Sequence, residues 1–179
     1  VSANAGNKPY NIENVSPDAH LAPSVGDSSS KTSSKAWHKI DGVCYNGSGK
    51  KVEGAITRGM DVSEWQGKIN WKEAKKDLDF AFVRISYGTR HLDDYYDYNM
   101  TEAEAADVPV GTYVYSLAKT NKEALAEAQL AIRQMQGHKV SYPVAFDLED
   151  EATLGTLTRK EISQIALTFC DEIRKAGYT

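Results

Sequence analysis

Two acidic residues lie two positions apart at the end of a short apolar segment. The segment is YPVAFDLED, residues 142–150, in which Asp147 and Glu149 follow the apolar residues 144–146. Along an extended strand, alternate side chains point to the same face, about 6 to 7 Å apart, so both carboxyl groups are aimed at one place. Such a pair suits the cleavage of an acid-labile bond. The alternative is the solvated end of a strand followed by a helix cap, because acidic residues are mostly exposed.

The chain from residue 58 onward alternates between apolar segments typical of buried strands and amphipathic helical segments. The predicted strands lie within RGMDVSEW (58–65), FAFVRISYG (80–88), VPVGTYVYSLA (108–118) and YPVAFDLE (142–149). A helix is predicted after each strand, with caps at Asn70 and Asn121 and a capping box formed by Thr158 and Glu161. Four consecutive strand–helix units indicate a parallel α/β sheet.

The helical periodicity also predicts which side chains pack against the sheet. The expected packed residues are Trp71, Ala74 and Leu78, then Tyr95, Tyr98 and Ala106, then Leu125, Ala128, Ile132 and Met135, and finally Ile162, Ile165, Phe169, Ile173 and Ala176. Cys170 falls within the last group, so we expect a small buried thiol there.

The acidic residues occupy the positions where such folds carry their sites. In parallel α/β folds, sites gather at the carboxyl ends of the strands. Asp61 follows Gly59 and Met60 in the first predicted strand, while Asp147 and Glu149 close the fourth. Charged residues that end otherwise apolar strands favour a functional site over a solvated surface. We therefore predict a site with three carboxylates.

Composition excludes several other classes of protein. The 179 residues are 41% hydrophobic and 26% charged, with a net charge of −4, which allows one core and provides no basic stripe for nucleic acid. No apolar stretch approaches the roughly 20 residues needed to span a membrane, and no signal peptide is visible. Two distant cysteines, Cys44 and Cys170, and four scattered histidines suggest no metal cluster; whether the cysteines pair is left open.

The first 57 residues differ from the rest of the chain. Residues 1–35 are rich in serine and poor in large apolar side chains, which predicts a flexible leader or linker. Residues 36–57 contain two short apolar runs around Asn46-Gly47-Ser48-Gly49, which predicts a β-hairpin. This hairpin resembles weakly one unit of the repeats in cell-wall-binding modules; alternatively it only caps the next domain.

Four segments of residues 58–179 resemble glycoside hydrolase family 25 lysozymes, the Chalaropsis-type muramidases. They are GMDVSEWQGKINW (59–71), FAFVRISYGT (80–89), VPVGTYVYS (108–116) and YPVAFDLED (142–150), followed by AGYT (176–179). The resemblance implies a (β/α)8-like barrel of the TIM type, and a secreted or cell-wall-associated enzyme. It also implies hydrolysis of the β-1,4 bond between N-acetylmuramic acid and N-acetylglucosamine in bacterial peptidoglycan.

The same resemblance implies roles for the three acids. Glu149 matches the general acid, Asp147 the partner carboxylate and Asp61 an acid that organises the site. The chemistry agrees, because the leaving sugar oxygen needs a proton and the oxocarbenium-like transition state is stabilised by an ionised carboxylate. This reaction needs no cofactor and no metal.

Aromatic and polar residues near the acids are candidates for glycan binding. Tyr113 and Tyr115 share one face of the third strand, where they either stack on sugar rings or fill the barrel interior. Trp65 and Gln66 follow the first strand and are further candidates.

Length separates this chain from a complete barrel. An eight-stranded barrel takes about 200 to 250 residues, whereas residues 58–179 supply four βα units. We therefore expect this chain to be a fragment, to lie beside another chain, or to pair with itself. Two alternatives to the muramidase remain open, namely a non-catalytic cell-wall-binding fragment and a glycosidase acting on chitin-like chains.

Overall fold

The computed structural model of the protein describes residues 37–179, so the predicted leader lies outside the described residues. The first element is a hairpin of β1 (His38–Ile40) and β2 (Val43–Tyr45), paired antiparallel. Its turn is Asp41-Gly42, with φ of 49° and 80°. Tight two-residue hairpin turns require positive φ at both central positions, which Asp-Gly provides. The predicted turn at residues 46–49 is also present, because Lys51 forms an antiparallel bridge with Tyr45 and the Val52 N–H donates to the Cys44 carbonyl oxygen at 2.8 Å. The Asn46 side chain orders this second turn by accepting the backbone N–H of Lys50 at 2.9 Å.

Four parallel strands form the central sheet. In chain order they are β3 (Gly59–Val62), β4 (Phe80–Tyr87), β6 (Val110–Tyr115) and β7 (Val144–Asp147), and they lie side by side in that order. A short strand, β5 (His91–Leu92), pairs antiparallel with the end of β4. The predicted parallel α/β arrangement is therefore confirmed.

Helices connect and cover these strands. They are a 3-10 turn (Glu64–Gln66), α1 (Trp71–Ala74), α2 (Tyr96–Ala105), α3 (Asn121–Met135), α4 (Glu151–Leu154) and α5 (Arg159–Lys175). The predicted caps at Asn70 and Thr158 are confirmed. The cap of α3 is Thr120 rather than Asn121, because the Thr120 hydroxyl accepts the backbone N–H of Glu123 at 3.2 Å. The sequence analysis did not predict α4, which Asp150 caps.

The hydrophobic core lies between the outer face of the sheet and the helices. Its buried residues include Ala81, Val83, Ile85, Val110 and Val114 from the strands and Met100, Ala103, Ala131, Met135, Phe169 and Ile173 from the helices. Within residues 37–179, no helix is long and apolar enough to cross a membrane.

The predicted packed faces are confirmed only in part. Tyr98 and Ala106 pack against the core, although helix α2 buries Tyr96, Asn99, Met100 and Ala103 more fully. Asn99 is held inside by the Trp71 indole, which donates to its side-chain oxygen at 3.1 Å. Ala176, predicted for the packed face of α5, is exposed. Cys170 is exposed, because α5 turns Phe169 and Ile173 inward instead. Cys44 is buried in the hairpin, and both thiols are free.

The inner face of the sheet carries large aromatic side chains above glycines. Phe80 stacks on Tyr142 with 4.9 Å between ring centroids. A Cβ atom at Gly59 would meet the Phe80 ring, and one at Gly111 would lie 2.6 Å from the Phe82 ring and 2.8 Å from the Pro143 carbonyl oxygen. The two glycines therefore make room for rings on the neighbouring strand.

Candidate active site

A cleft of about 930 Å³ runs along the inner face of the sheet and past the carboxyl ends of its strands. All seven residues predicted for the site line this cleft: Asp61, Trp65, Gln66, Tyr113, Tyr115, Asp147 and Glu149. Further lining comes from Gly59, Met60, Ser63, Phe80, Phe82, Arg84, Ala145 and Phe146. The tertiary structure thus brings residues from four strands and two connecting segments into one concave site.

The sheet register explains this convergence. Asp147 pairs with Tyr115, and Ala145 pairs with Tyr113, which in turn pairs with Arg84. Residues in register on adjacent strands point to the same face, so Asp147 and the two tyrosines face the cleft together. Asp61 lies further down the sheet, in register with Phe82.

The environment of Asp147 favours its protonated form. Burial, followed by the negative charges of Glu149 and Asp61, raises the pKa of Asp147 to about 6. A raised pKa is the expected result when several carboxylates share one partly desolvated cleft. The role that the family resemblance implies for Asp147 requires an ionised carboxylate. In this structure Asp147 is mostly ionised above about pH 6.

The two tyrosines retain their phenolic protons at neutral pH. Burial, reinforced by Asp61, raises the pKa of Tyr113 well above its ordinary value. Burial and the nearby charge of Glu149 raise the pKa of Tyr115 to about 12. Both hydroxyl groups can therefore donate hydrogen bonds to carboxylates or to sugar oxygens.

The turn after β3 holds Trp65 at the rim of the cleft. Ser63 and Gln66 form a capping box, in which the Gln66 side-chain oxygen accepts the backbone N–H of Ser63 at 2.8 Å. That oxygen is thus engaged in the turn itself. The Trp65 indole is 70% exposed, so its face is open to a ligand.

A buried ionic network supports this turn from below. The Arg84 guanidinium is held by Asp93, with Nε to Oδ2 at 2.9 Å, and by Glu64, with Nη2 to Oε1 at 2.9 Å. Asp93 also accepts the backbone N–H of Glu64 at 2.8 Å, and Glu64 pairs with His91 at 2.8 Å. Although burial opposes it, hydrogen bonds from His91 and the Asp94 amide, together with the charge of Arg84, lower the pKa of Glu64.

Sequence reasoning missed Arg84 and Asp93. The signal for Arg84 was its position as a lone charge in the apolar segment 80–88, which a buried strand tolerates only with a partner. Asp93 gave no such signal, because it lies among polar residues. Among residues 37–179, no group of three or more histidine, cysteine, aspartate or glutamate side chains is arranged to hold a metal ion.

Comparison with known families gives one match that covers most of the chain. Residues 60–179 match the model of "Glycosyl hydrolases family 25". Among curated proteins, Lysozyme M1 of Streptomyces globisporus is 38% identical over 60 residues, which is 33% of this chain and 20% of that protein.

Solved structures show the same fold. The modular autolysin LytC of Streptococcus pneumoniae aligns with a TM-score of 0.67 and 25% identity over 80% of this chain and 36% of that one. A family 25 glycosyl hydrolase from Bacillus anthracis aligns with a TM-score of 0.60 and 22% identity, over 70% of this chain and 59% of that one. The chain therefore spans about a third of the pneumococcal autolysin and a fifth of the Streptomyces lysozyme.

Proposed function

Since the chain belongs to glycosyl hydrolase family 25, we propose that it forms part of a peptidoglycan hydrolase that cleaves the β-1,4 bond after N-acetylmuramic acid. The observation that carries this proposal is the meeting of Asp61, Asp147 and Glu149 in one cleft. Lysozyme M1 carries the same activity in its name, and the pneumococcal autolysin has been solved with a synthetic peptidoglycan ligand. These properties belong to those proteins and support the proposal by likeness.

The proposed chemistry divides the work between two carboxyl groups. Glu149 is exposed at the end of β7, where it can reach the leaving sugar oxygen and donate the proton that the broken bond requires. Asp147 lies deeper in the cleft and, once ionised, stabilises the positive charge that develops on the sugar ring. Asp61, an exposed residue of β3, adds negative charge to the cleft and contributes to the raised pKa of Asp147.

The proposed glycan-binding surface is aromatic. Tyr113 and Tyr115 present rings and hydroxyl groups on the cleft side of β6, and Trp65 presents its exposed indole at the rim. Sugar rings stack well on such faces because their C–H surfaces are apolar and desolvate easily. Gln66 holds the turn that carries Trp65.

The location and the assembly of the protein are also proposals. A substrate in the bacterial wall places the enzyme outside the cell membrane, secreted or wall-associated. We divide the chain into a leader (1–35), a hairpin segment (36–57) and a barrel segment (58–179). The open sheet is completed by further strands, by a second chain or by self-association.

Substitution of Glu149 tests the catalytic proposal in the complete protein. We expect Glu149→Gln to lower the release of new reducing ends from peptidoglycan by about 100-fold or more, because a positioned acid typically contributes 10²–10⁴-fold. Wall binding should persist, since the side chain keeps its size. Glu151→Gln, an exposed acid in the first turn of α4, is the matched control and should retain full activity.

Three other outcomes have different meanings. Unchanged activity in the Glu149→Gln protein would show that the assignment of the acid is wrong. Retention on the wall by the parent protein without any reducing ends would support the wall-binding alternative. Faster cleavage of chitin oligomers than of peptidoglycan would support the chitin-directed alternative.

A further inference from the structure

Strand β4 contains an irregularity beside the candidate active site. Arg84 pairs with Tyr113 and Ser86 pairs with Val114, so β4 advances two residues where β6 advances one. Ile85 is the extra residue of this β-bulge, and its carbonyl oxygen accepts the backbone N–H of Asp93 at 3.0 Å. Bulges reverse the alternation of side chains and occur often beside functional sites, where they re-aim a side chain.

The bulge changes which side chain of β4 lies on the inner face, beside the cleft. Strict alternation would place Ser86 on the inner face, after Phe80, Phe82 and Arg84. With the bulge, Tyr87 takes that place and lies in register with Tyr115, which lies in register with Asp147. Tyr87, Tyr115 and Asp147 therefore form one row across the sheet, facing the same side.

The two rings in this row form a continuous surface. Tyr87 stacks on Tyr115 with 4.8 Å between ring centroids and 21° between ring planes. Tyr87 is 37% exposed, so one part of its ring packs and the other meets solvent. Adjacent strands lie about 4.8 Å apart, so Tyr87 is roughly 10 Å from Asp147 along the row.

Packing of the core does not account for the bulge. The same register shift turns Ser86 to the outer face, where its hydroxyl is fully buried and has no hydrogen-bond partner among the described residues. An unpaired buried hydroxyl costs about 1 to 3 kcal/mol. The bulge therefore lowers the stability of the fold, while it places the Tyr87 ring beside Tyr115 at the cleft.

We propose that Tyr87 is a sugar-binding residue, which together with Tyr115 stacks on a hexose ring of the glycan next to the ring that is cleaved. This inference rests on the proposed glycan hydrolase function and extends its binding surface by one strand. The ligand class is a β-1,4-linked chain of N-acetylated hexoses, whose ring faces are apolar enough to stack on phenol rings.

Kinetics on soluble peptidoglycan glycan oligomers in the complete protein test this role. We expect Tyr87→Ala to raise KM about five- to tenfold with little change in kcat, since lost stacking weakens binding of substrate and transition state alike. Tyr87→Phe keeps the aromatic ring, so its KM should stay within about twofold of the value for the parent protein. Leu167→Ala, which removes an exposed apolar side chain from α5, is the control for general loss of apolar surface and should leave KM unchanged.

Binding in the Glu149→Gln background separates this inference from the proposed function. If Tyr87→Ala weakens oligomer binding there by the same factor as KM, the sugar-binding role is supported. A second outcome is that the parent protein binds and cleaves the oligomers, while Tyr87→Ala and Tyr87→Leu change neither KM nor binding. That outcome overturns the role of Tyr87 and leaves the hydrolase proposal standing. If the parent protein neither binds nor cleaves the oligomers, both are overturned. Tyr87→Leu retains apolar packing on Tyr115, so it provides the answer if the alanine variant fails to fold.

Discussion

At the scale of single residues, the surroundings of Asp147 disfavour the ionised form of its carboxyl group. Burial, together with the charges of Glu149 and Asp61 in the same cleft, raises its pKa to about 6. An acid with a raised pKa is more stable protonated, so its ionised form lowers the stability of the fold. The catalytic role proposed for Asp147 requires that ionised form.

The pH dependence of unfolding tests this conflict. Asp147 binds its proton more tightly in the folded state than in the unfolded state, where its pKa is near the ordinary 3.8. The folded protein therefore loses stability as pH rises from about 4 to about 6. We expect Asp147→Asn to raise the free energy of unfolding at pH 7 by about 1 kcal/mol, after discounting for partial exposure, and to leave it unchanged at pH 4.

Denaturant titrations at the two pH values measure this difference. Asp77→Asn, which changes an exposed acid in the turn after α1, is the control and should show no such dependence. Equal effects of Asp147→Asn at pH 4 and pH 7 would contradict the raised pKa. If the proposed hydrolase function holds, the same variant should lose most of that activity, because an amide carries no charge to stabilise the transition state.

At the scale of elements, the turn after β3 and the bulge in β4 both bond to one residue, Asp93. Asp93 accepts the Arg84 guanidinium and the backbone N–H of Glu64, while its own backbone N–H binds the carbonyl oxygen of Ile85 in the bulge. The turn carries Trp65 and the bulge directs Tyr87, so Asp93 positions both rims of the cleft from a buried location. Arg84 in turn depends on Asp93 and Glu64 to balance its buried charge.

Removal of the Asp93 carboxylate should destabilise the fold and not only the site. We expect Asp93→Ala to lower the free energy of unfolding by about 3 kcal/mol, because it leaves the Arg84 guanidinium buried with one carboxylate partner. Thermal or denaturant unfolding measures the effect. Asp94→Ala removes the neighbouring exposed side chain, while the backbone N–H of residue 94, which donates to Glu64, is kept. Its free energy of unfolding should therefore stay within about 0.5 kcal/mol of the parent value. Similar losses in both variants would show that the network contributes nothing specific.

At the scale of the whole molecule, the described sheet is open. Strands β3 and β7 are its two edges, and its inner face carries the aromatic residues Phe80, Phe82 and Tyr142. The backbone of Thr179 lies beside β7, where its carbonyl oxygen accepts the N–H of Val144 at 2.7 Å. Unpaired parallel edges and an open aromatic face favour association with further strands.

Association of the 179-residue chain by itself tests this view. We expect concentration-dependent dimers or larger species in light scattering, and amide exchange in β7 that slows as concentration rises, because the edges pair with another copy. A monomer at all concentrations with rapidly exchanging edge amides would contradict the proposal. Addition of a separately produced chain whose strands pair with β3 and β7 should suppress self-association, since it covers the same edges.

The sequence alone determined the order of the four main strands and the residues of the candidate site. Apolar strands separated by amphipathic helices bury their apolar faces in a parallel sheet that is covered by its helices. In such a sheet the acids at the carboxyl ends of the strands lie along one edge. Strand alternation also placed Tyr113 and Tyr115 on a common face, because this relation depends only on a period of two. Glu149 lies two residues beyond the end of β7, and it lines the cleft together with Asp147. Local hydrogen bonding fixed the caps at Asn70 and Thr158 for the same reason.

Only the tertiary structure decided the remaining features, because they depend on contacts between residues distant in sequence. The bulge at Ile85 depends on pairing with β6 and on the bond to Asp93. Alternation within the segment 80–88 therefore predicts Ser86 on the inner face, where the structure has Tyr87. The raised pKa of Asp147 requires both burial and the charge of Asp61, 86 positions earlier in the chain (147 minus 61). The exposure of Cys170 follows from which face of α5 meets the sheet, a choice made by packing rather than by local composition.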